Sequence, residues 1–257
     1  MIRQTIKRAG TLLRRLRSEG RNGNSVPAVG RIRFGSLRRT RPVSEIWGFD
    51  RGRAIDRYYI EQFLCEHASD IRGHVLEIAD DYYTRQFGRD RVTRIDVLHV
   101  ADRLPKVTIV ADLTSADLIP SEIFDCIILT QTLQFIYDVH AVVRTLHRIL
   151  KPGGVVLATG GGITKASAPD MERWGDYWRF TSMSARRLFE ESFPADQVSV
   201  QSYGNVLTAT AFLYGLAAEE LSTEEMDTCD PNFEVTIGVK AVKPLTVESF
   251  ASDEHRN

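Results

Sequence analysis

The sequence predicts an α/β fold built on a doubly wound, mostly parallel sheet. Five short apolar runs, His74–Ile78, Val92–Asp96, Val107–Val110, Phe124–Thr130 and Val155–Thr159, alternate with helical or turn-rich stretches, as expected of strands buried on both faces and joined by crossovers. Gln197–Ser202 and Glu234–Val242 read as two further strands, giving seven in all. A third observation concerns ligands: Glu77, Asp96 and Asp112 stand close to the ends of the first three runs, and open sheets of this kind bind ligands at strand carboxyl ends.

The elements follow in chain order. With 257 residues and a hydrophobic fraction of 43%, the chain suits one enzyme-sized domain with extensions. The near-neutral total hides an uneven split. Residues 1–41 hold twelve Lys and Arg against the single acid Glu19, which leaves about −12 on the remainder. We divide the chain into a basic amphipathic leader and linker (1–41), an α/β domain (42–243) and a polar tail (244–257). Ile2, Ile6, Ala9, Leu13 and Leu16 lie at helical spacing among six arginines and lysines. The spacing predicts a basic helix over residues 2–18 that suits an anionic membrane surface or an acidic partner, and equally an Arg-rich presequence or a solvated extension. Arg21–Pro42 reads as linker. No run of eighteen apolar residues or secretory apolar stretch occurs, and Cys65, Cys126 and Cys229 lack metal or disulfide spacing. The expectation is a cytoplasmic chain without a metal, touching a membrane only through its leader.

Ala54–His67 is expected to be a helix ahead of the first strand, and Val206–Leu221 another between the last two. In the middle, Phe124-Asp125-Cys126-Ile127-Ile128-Leu129 leads into Thr130-Gln131-Thr132-Leu133-Gln134-Phe135-Ile136-Tyr137-Asp138, and Leu146 to Leu157 contains Lys151-Pro152-Gly153-Gly154. In the second motif a helix ends, Pro152 blocks its continuation and the glycines turn the chain into a buried strand.

These two motifs, in this order and at this spacing, resemble the fourth and fifth strands of class I S-adenosylmethionine-dependent methyltransferases. The resemblance implies a Rossmann-like fold, S-adenosylmethionine as cofactor, and a cofactor site formed by Glu77, Ala79, Asp80, Asp81, Tyr83, Asp96, Val97, Asp112, Leu113, Thr130 and Gln131. Asp96 would accept from the ribose hydroxyls and Asp112 from the adenine amino group. Ala79, Asp81 and Tyr83 occupy the positions of the family's three loop glycines. Their Cβ atoms are expected to crowd a left-handed turn, and Asp80-Asp81 to bring negative charge near the ligand carboxylate. Asp81→Gly is therefore expected to tighten cofactor binding.

The acceptor side is expected in the aromatic segment Trp174, Asp176, Tyr177, Trp178 and Arg179, whose faces suit sugar rings or planar molecules while Asp176 and Arg179 orient polar groups. A lid that merely fills the core is an equal reading. Together with Trp47–Gly52, this segment resembles bacterial methyltransferase-like proteins of glycan or secondary-metabolite assembly. The family's frequent histidine is replaced by Phe135, and His99 reads as a surface-loop residue, so the sequence identifies no catalytic base. The leading expectation is methyl transfer to a small-molecule or saccharide acceptor at oxygen. The alternative is a catalytically silent module that binds a partner or glycan intermediate. The acidic body offers no channel for nucleic acid.

Overall fold

The computed structural model describes residues 26–101 and 104–245. The helix expected over 2–18 and most of the polar tail lie outside the described residues. Residues 26–40 belong to a unit of their own, with a single 3-10 turn at Gly35–Leu37.

The α/β unit begins with α1 (Ile55–Glu66) and continues through β1 (Gly73–Ile78), β2 (Val92–His99), β3 (Ile109–Val110) and β4 (Phe124–Thr130). It then runs through α2 (Val139–Ile149), β5 (Leu150–Gly161), α3 (Ala168–Arg173), α4 (Ser182–Glu190), β6 (Val198–Tyr203), α5 (Val206–Tyr214), α6 (Thr223–Asp227) and β7 (Thr236–Val242). The seven strands lie in the order β3-β2-β1-β4-β5-β7-β6, with β7 antiparallel to both neighbours and the rest parallel. This is the Rossmann-like, doubly wound arrangement expected from the sequence, and strand order reverses between β1 and β4, the crevice position for ligands.

Strand periodicity explains the two cores. Cys126, Ile128, Val75 and Leu157 point to one face, where they pack with Ile55, Tyr59, Ile60 and Phe63 of α1 and with Phe212 and Met226. Their neighbours Ile127, Leu129, Leu76 and Val156 point to the other, against Val142, Leu146 and Ile149 of α2 and Leu188 and Phe189 of α4. Neighbouring residues in a strand serve opposite cores, so the runs are continuously apolar. Asp138 caps α2 by accepting from Ala141 N at 2.9 Å. Near the start of β5, Gly153 takes φ 77° and donates to Lys243 O at 2.8 Å.

Three expectations change. β2 continues to His99, three residues past Asp96; β3 is only Ile109–Val110; and the helix expected over 206–221 stops at Tyr214. Gly215 ends it in the left-handed conformation (φ 70°), with Leu216 N–H returning to Ala211 O at 3.0 Å. Among the described residues no helix is long and apolar enough to cross a membrane.

Candidate active site

A cleft of about 1110 Å³ opens at the carboxyl ends of β1, β2 and β4. Of the residues expected at the cofactor, Glu77, Ala79, Asp80, Tyr83, Asp112, Leu113, Thr130 and Gln131 line it, and Trp174 and Tyr177 from the acceptor set join them. Asp81, Asp96, Val97, Asp176, Trp178 and Arg179 do not.

The loop after β1 resolves the missing glycines position by position. Ala79 adopts φ 70° and donates its N–H to Leu98 O at 2.9 Å, so the first of the three keeps the left-handed turn with a Cβ attached. Tyr83 has an ordinary helical φ of −72° and leads into a π-helical turn at Thr84–Gly88; Asp81 is absent from the positive-φ residues. Glu77 sits beneath this loop and accepts from Tyr83 N at 3.1 Å and Thr84 N at 2.7 Å. Burial pushes its carboxyl up to about 7, and these hydrogen bonds, by favouring the charged form, limit the rise.

Asp81 corrects the expectation of crowding and repulsion. Its side chain is buried and turned from the cleft, bonded to Arg85 and to Lys106, whose Nζ lies 2.5 Å from Oδ1. Burial alone would raise its carboxyl, but Lys106 and Arg85 hold it below the ordinary value. Asp80 stays at the cleft wall with Lys106 Nζ 3.2 Å away. Asp81→Gly would thus break an ionic anchor, and the expectation of tighter binding is withdrawn.

Asp96 is also corrected. It stands mid-strand, registered with Leu76 rather than at a strand end. Its carboxylate is enclosed by His74 Nε2 at 2.6 Å, Thr108 Oγ1 at 2.7 Å and Arg94 at 3.0 Å. Burial pushes the carboxyl up; the bonds from Thr108 and His74 and the charge of Arg94 outweigh this and hold it low. Val97 is likewise buried in the strand. The position at the end of β2 belongs to His99, which lines the cleft, meets the Trp174 ring edge-on at 5.3 Å and has Nδ1 2.8 Å from Ala101 O. It is half-buried in the wall and not a surface-loop residue.

Asp112 uses Oδ1 to accept from Thr114 N and Oγ1, both at 2.8 Å. Among the described residues its Oδ2 accepts no hydrogen bond, so one oxygen remains available at the cleft wall. At the end of β4, Gln131 takes φ 45°, donates N–H to Thr159 O at 2.9 Å and accepts at Oε1 from Gln134 Nε2 at 3.0 Å. A non-glycine residue in this conformation is strained and is commonest at functional sites.

The aromatic segment divides in two. Trp174 and Tyr177 face the cleft, Tyr177 in edge contact with Tyr137 at 5.4 Å. Trp178 donates Nε1–H to Ile136 O at 3.1 Å and stacks on Tyr137, while Asp176 and Arg179 satisfy each other through a two-point ion pair at 2.6 and 2.8 Å. Asp176 also accepts from Ser167 N at 3.0 Å. These three hold the segment in shape, so their expected role as free orienting groups gives way to a structural one. The residues the sequence reading missed include Arg53, just ahead of α1, and Arg57 in its first turn: both line the cleft, and Arg57 donates to Tyr83 Oη at 3.0 Å.

Residues 66–158 match the model of a family described as a methyltransferase domain. No curated protein matches the chain in sequence. Among solved structures it is similar to an S-adenosylmethionine-dependent methyltransferase from Archaeoglobus fulgidus (9% identity, TM-score 0.49, 73% of this chain and 94% of that one). It is also similar to the N-methyltransferase NodS from Bradyrhizobium japonicum WM9 in complex with S-adenosylhomocysteine (14% identity, TM-score 0.48, 77% and 91%). The matched segment contains β1 to β4 and the first part of β5, and hence most of the cleft floor. The sequence of residues 66–158 is thus similar to that of a methyltransferase domain.

Proposed function

We propose that this chain methylates a small polyhydroxylated or saccharide acceptor at oxygen, with S-adenosylmethionine as donor. The observation that carries the reading is the cleft itself, which combines a left-handed turn after β1, an unpaired Asp112 oxygen and an aromatic wall in one volume of about 1110 Å³. Pockets for drug-sized ligands measure roughly 300–1,000 Å³, so the cleft is large enough for the cofactor with a small acceptor beside it.

The residues fit the cofactor. Asp112 Oδ2 and Leu113 would hold adenine, the end of β2 at His99 would face the ribose, and the backbone at Ala79–Asp80 with Thr130 and Gln131 would take the methionine part. When bound, S-adenosylmethionine supplies an electrophilic methyl group on a sulfonium. The protein's task is to align an acceptor oxygen with it and to exclude water. Trp174 and Tyr177 cover the acceptor side, and Arg57, fixed by Tyr83, offers charge to a polar substituent.

Calorimetry with S-adenosylmethionine and S-adenosylhomocysteine, followed by radiolabelled methyl transfer onto a panel of polyols and glycosides, tests this. Saturable binding and label in an oxygen-linked methyl group are expected. A clean absence of cofactor binding would overturn the reading in favour of a silent, partner-binding module.

A further inference from the structure

Beside the cleft lies a smaller chamber of about 180 Å³, and Phe49, Arg57, Gln131, Phe135 and Asp170 belong to the walls of both. These residues mark the opening between the two spaces, and Asp170 is the one acid among them. Local sequence explains why its carboxylate is free. Ser167 caps α3 by accepting from Asp170 N at 3.3 Å, which makes Asp170 the third residue of the helix. A Glu or Gln side chain at that position commonly reaches back to the N–H of the capping residue. Here Ser167 N–H donates instead to Asp176 Oδ2 at 3.0 Å, and Asp176 is itself held by Arg179. Asp170 is therefore released from the cap. Among the described residues its carboxylate accepts no hydrogen bond and forms no ion pair, and in this half-buried residue neither oxygen is closed off from solvent.

We propose that Asp170 is the general base of methyl transfer, taking the proton of the acceptor hydroxyl as that oxygen attacks the methyl group. The inference rests on the methyl-transfer reading of the cleft and supplies the base that the sequence does not identify. Glu61, Glu77, Asp80 and Asp138 also line the cleft, but each is held by an ion pair or by backbone N–H groups. Asp112 and His99 line the cleft and not the chamber. Arg57, the other charged residue at the opening, is fixed to Tyr83 rather than to Asp170. In the proposed placement the methionine part lies against Gln131, which shares the opening with Asp170, so an acceptor entering from the chamber presents its hydroxyl there. The step balances. The acceptor oxygen forms a bond to the methyl carbon, the sulfur–methyl bond breaks with its electron pair passing to sulfur, and the hydroxyl proton passes to Asp170. The positive sulfonium and the negative carboxylate both become neutral, and the acid then returns its proton to solvent.

The test follows transfer of a labelled methyl group from S-adenosylmethionine by the full chain, with myo-inositol and methyl α-glucoside as acceptors. Wild type is compared with Asp170→Asn and Asp170→Ala, and calorimetry with S-adenosylhomocysteine checks fold and cofactor site in each. Both variants should lose about 100-fold or more in kcat, the range of a general base, while KM changes by less than about threefold. Affinity for S-adenosylhomocysteine should not change. Added formate should restore much of the rate of Asp170→Ala, where it can occupy the vacated space and take the proton, and none of the rate of Asp170→Asn. A carboxylate that only supports α3 would not be replaced by formate. Variants as active as wild type, a loss confined to KM, or an Asp170→Ala rate indifferent to formate overturns the assignment; if Asp170→Ala fails to fold, the kcat and KM of Asp170→Asn decide. A wild type that binds S-adenosylhomocysteine yet methylates neither probe overturns it as well. Failure of wild type to bind S-adenosylhomocysteine defeats the methyl-transfer reading itself.

Discussion

Lys106 places its ammonium 2.5 Å from Oδ1 of Asp81, tying the segment between β2 and β3 to the loop after β1. The same carboxylate receives Arg85, so Asp81 anchors the loop from below while Asp80 remains at the cleft. Asp81→Gly should lower the unfolding midpoint by roughly 2–5 °C and weaken S-adenosylhomocysteine binding rather than tighten it. Differential scanning fluorimetry and calorimetry on the variant check both, and tighter binding would restore the crowding argument.

Asp96 is expected to matter for folding and not for the ligand. Three partners enclose it away from the cleft, and removing a buried carboxylate strands His74 and Thr108. Asp96→Ala should cost about 2–4 kcal/mol of stability and leave adenosine affinity unchanged in the folded fraction. Urea denaturation and a ligand titration below the transition separate the two effects; a folded variant with lost adenosine affinity would return Asp96 to the site.

Glu77 should make stability fall as pH rises. Its folded value of about 7 exceeds the ordinary 4.5, so between these values the native state holds more protons than the unfolded chain. This contribution is fully present below about pH 4.5, declines by at most about 1.4 kcal/mol per pH unit, and is gone above 7. Glu77→Gln cannot titrate. The stability difference between wild type and Glu77→Gln, measured in urea from pH 5 to 8, should shift against wild type with rising pH and then level off. A difference independent of pH would show that Glu77 is not perturbed by burial.

The sheet was legible in the sequence because short runs such as Phe124–Thr130, mostly apolar at both odd and even positions as a strand covered on two faces requires, alternate with helical stretches. Lys151-Pro152-Gly153-Gly154 marked the end of the helix by backbone chemistry alone, although β5 already begins at Leu150 and not at the expected Val155. Asp96 was misplaced for a physical reason: an acid in the run suggested a strand end, whereas its partners His74 and Thr108 lie on other segments and make burial tolerable only once folded. The bends at Ala79 and Gln131 were hidden because neither residue advertises a positive φ as glycine does. Arg57 reached the cleft through α1 packing on the sheet, which a linear reading does not show.

Ala79 carries the last prediction. An L-residue at its φ of 70° pays about 1–2 kcal/mol for the left-handed conformation, while glycine pays about 0.5–1 kcal/mol of extra chain entropy on folding. Ala79→Gly should therefore stabilise the protein by up to about 1 kcal/mol. Its effect on ligands should be selective. In the proposed placement the loop contacts the methionine part, whereas Asp112 and Leu113 hold the adenine, so in wild type methylthioadenosine should recover most of the binding free energy of S-adenosylhomocysteine. Removing the Ala79 methyl lets the backbone approach the methionine part, and only S-adenosylhomocysteine should gain affinity. Parallel titrations of wild type and Ala79→Gly with both ligands read this directly. An equal gain for methylthioadenosine would assign the effect to general stabilisation of the fold, and a loss for S-adenosylhomocysteine would show that the methyl group itself packs against the ligand.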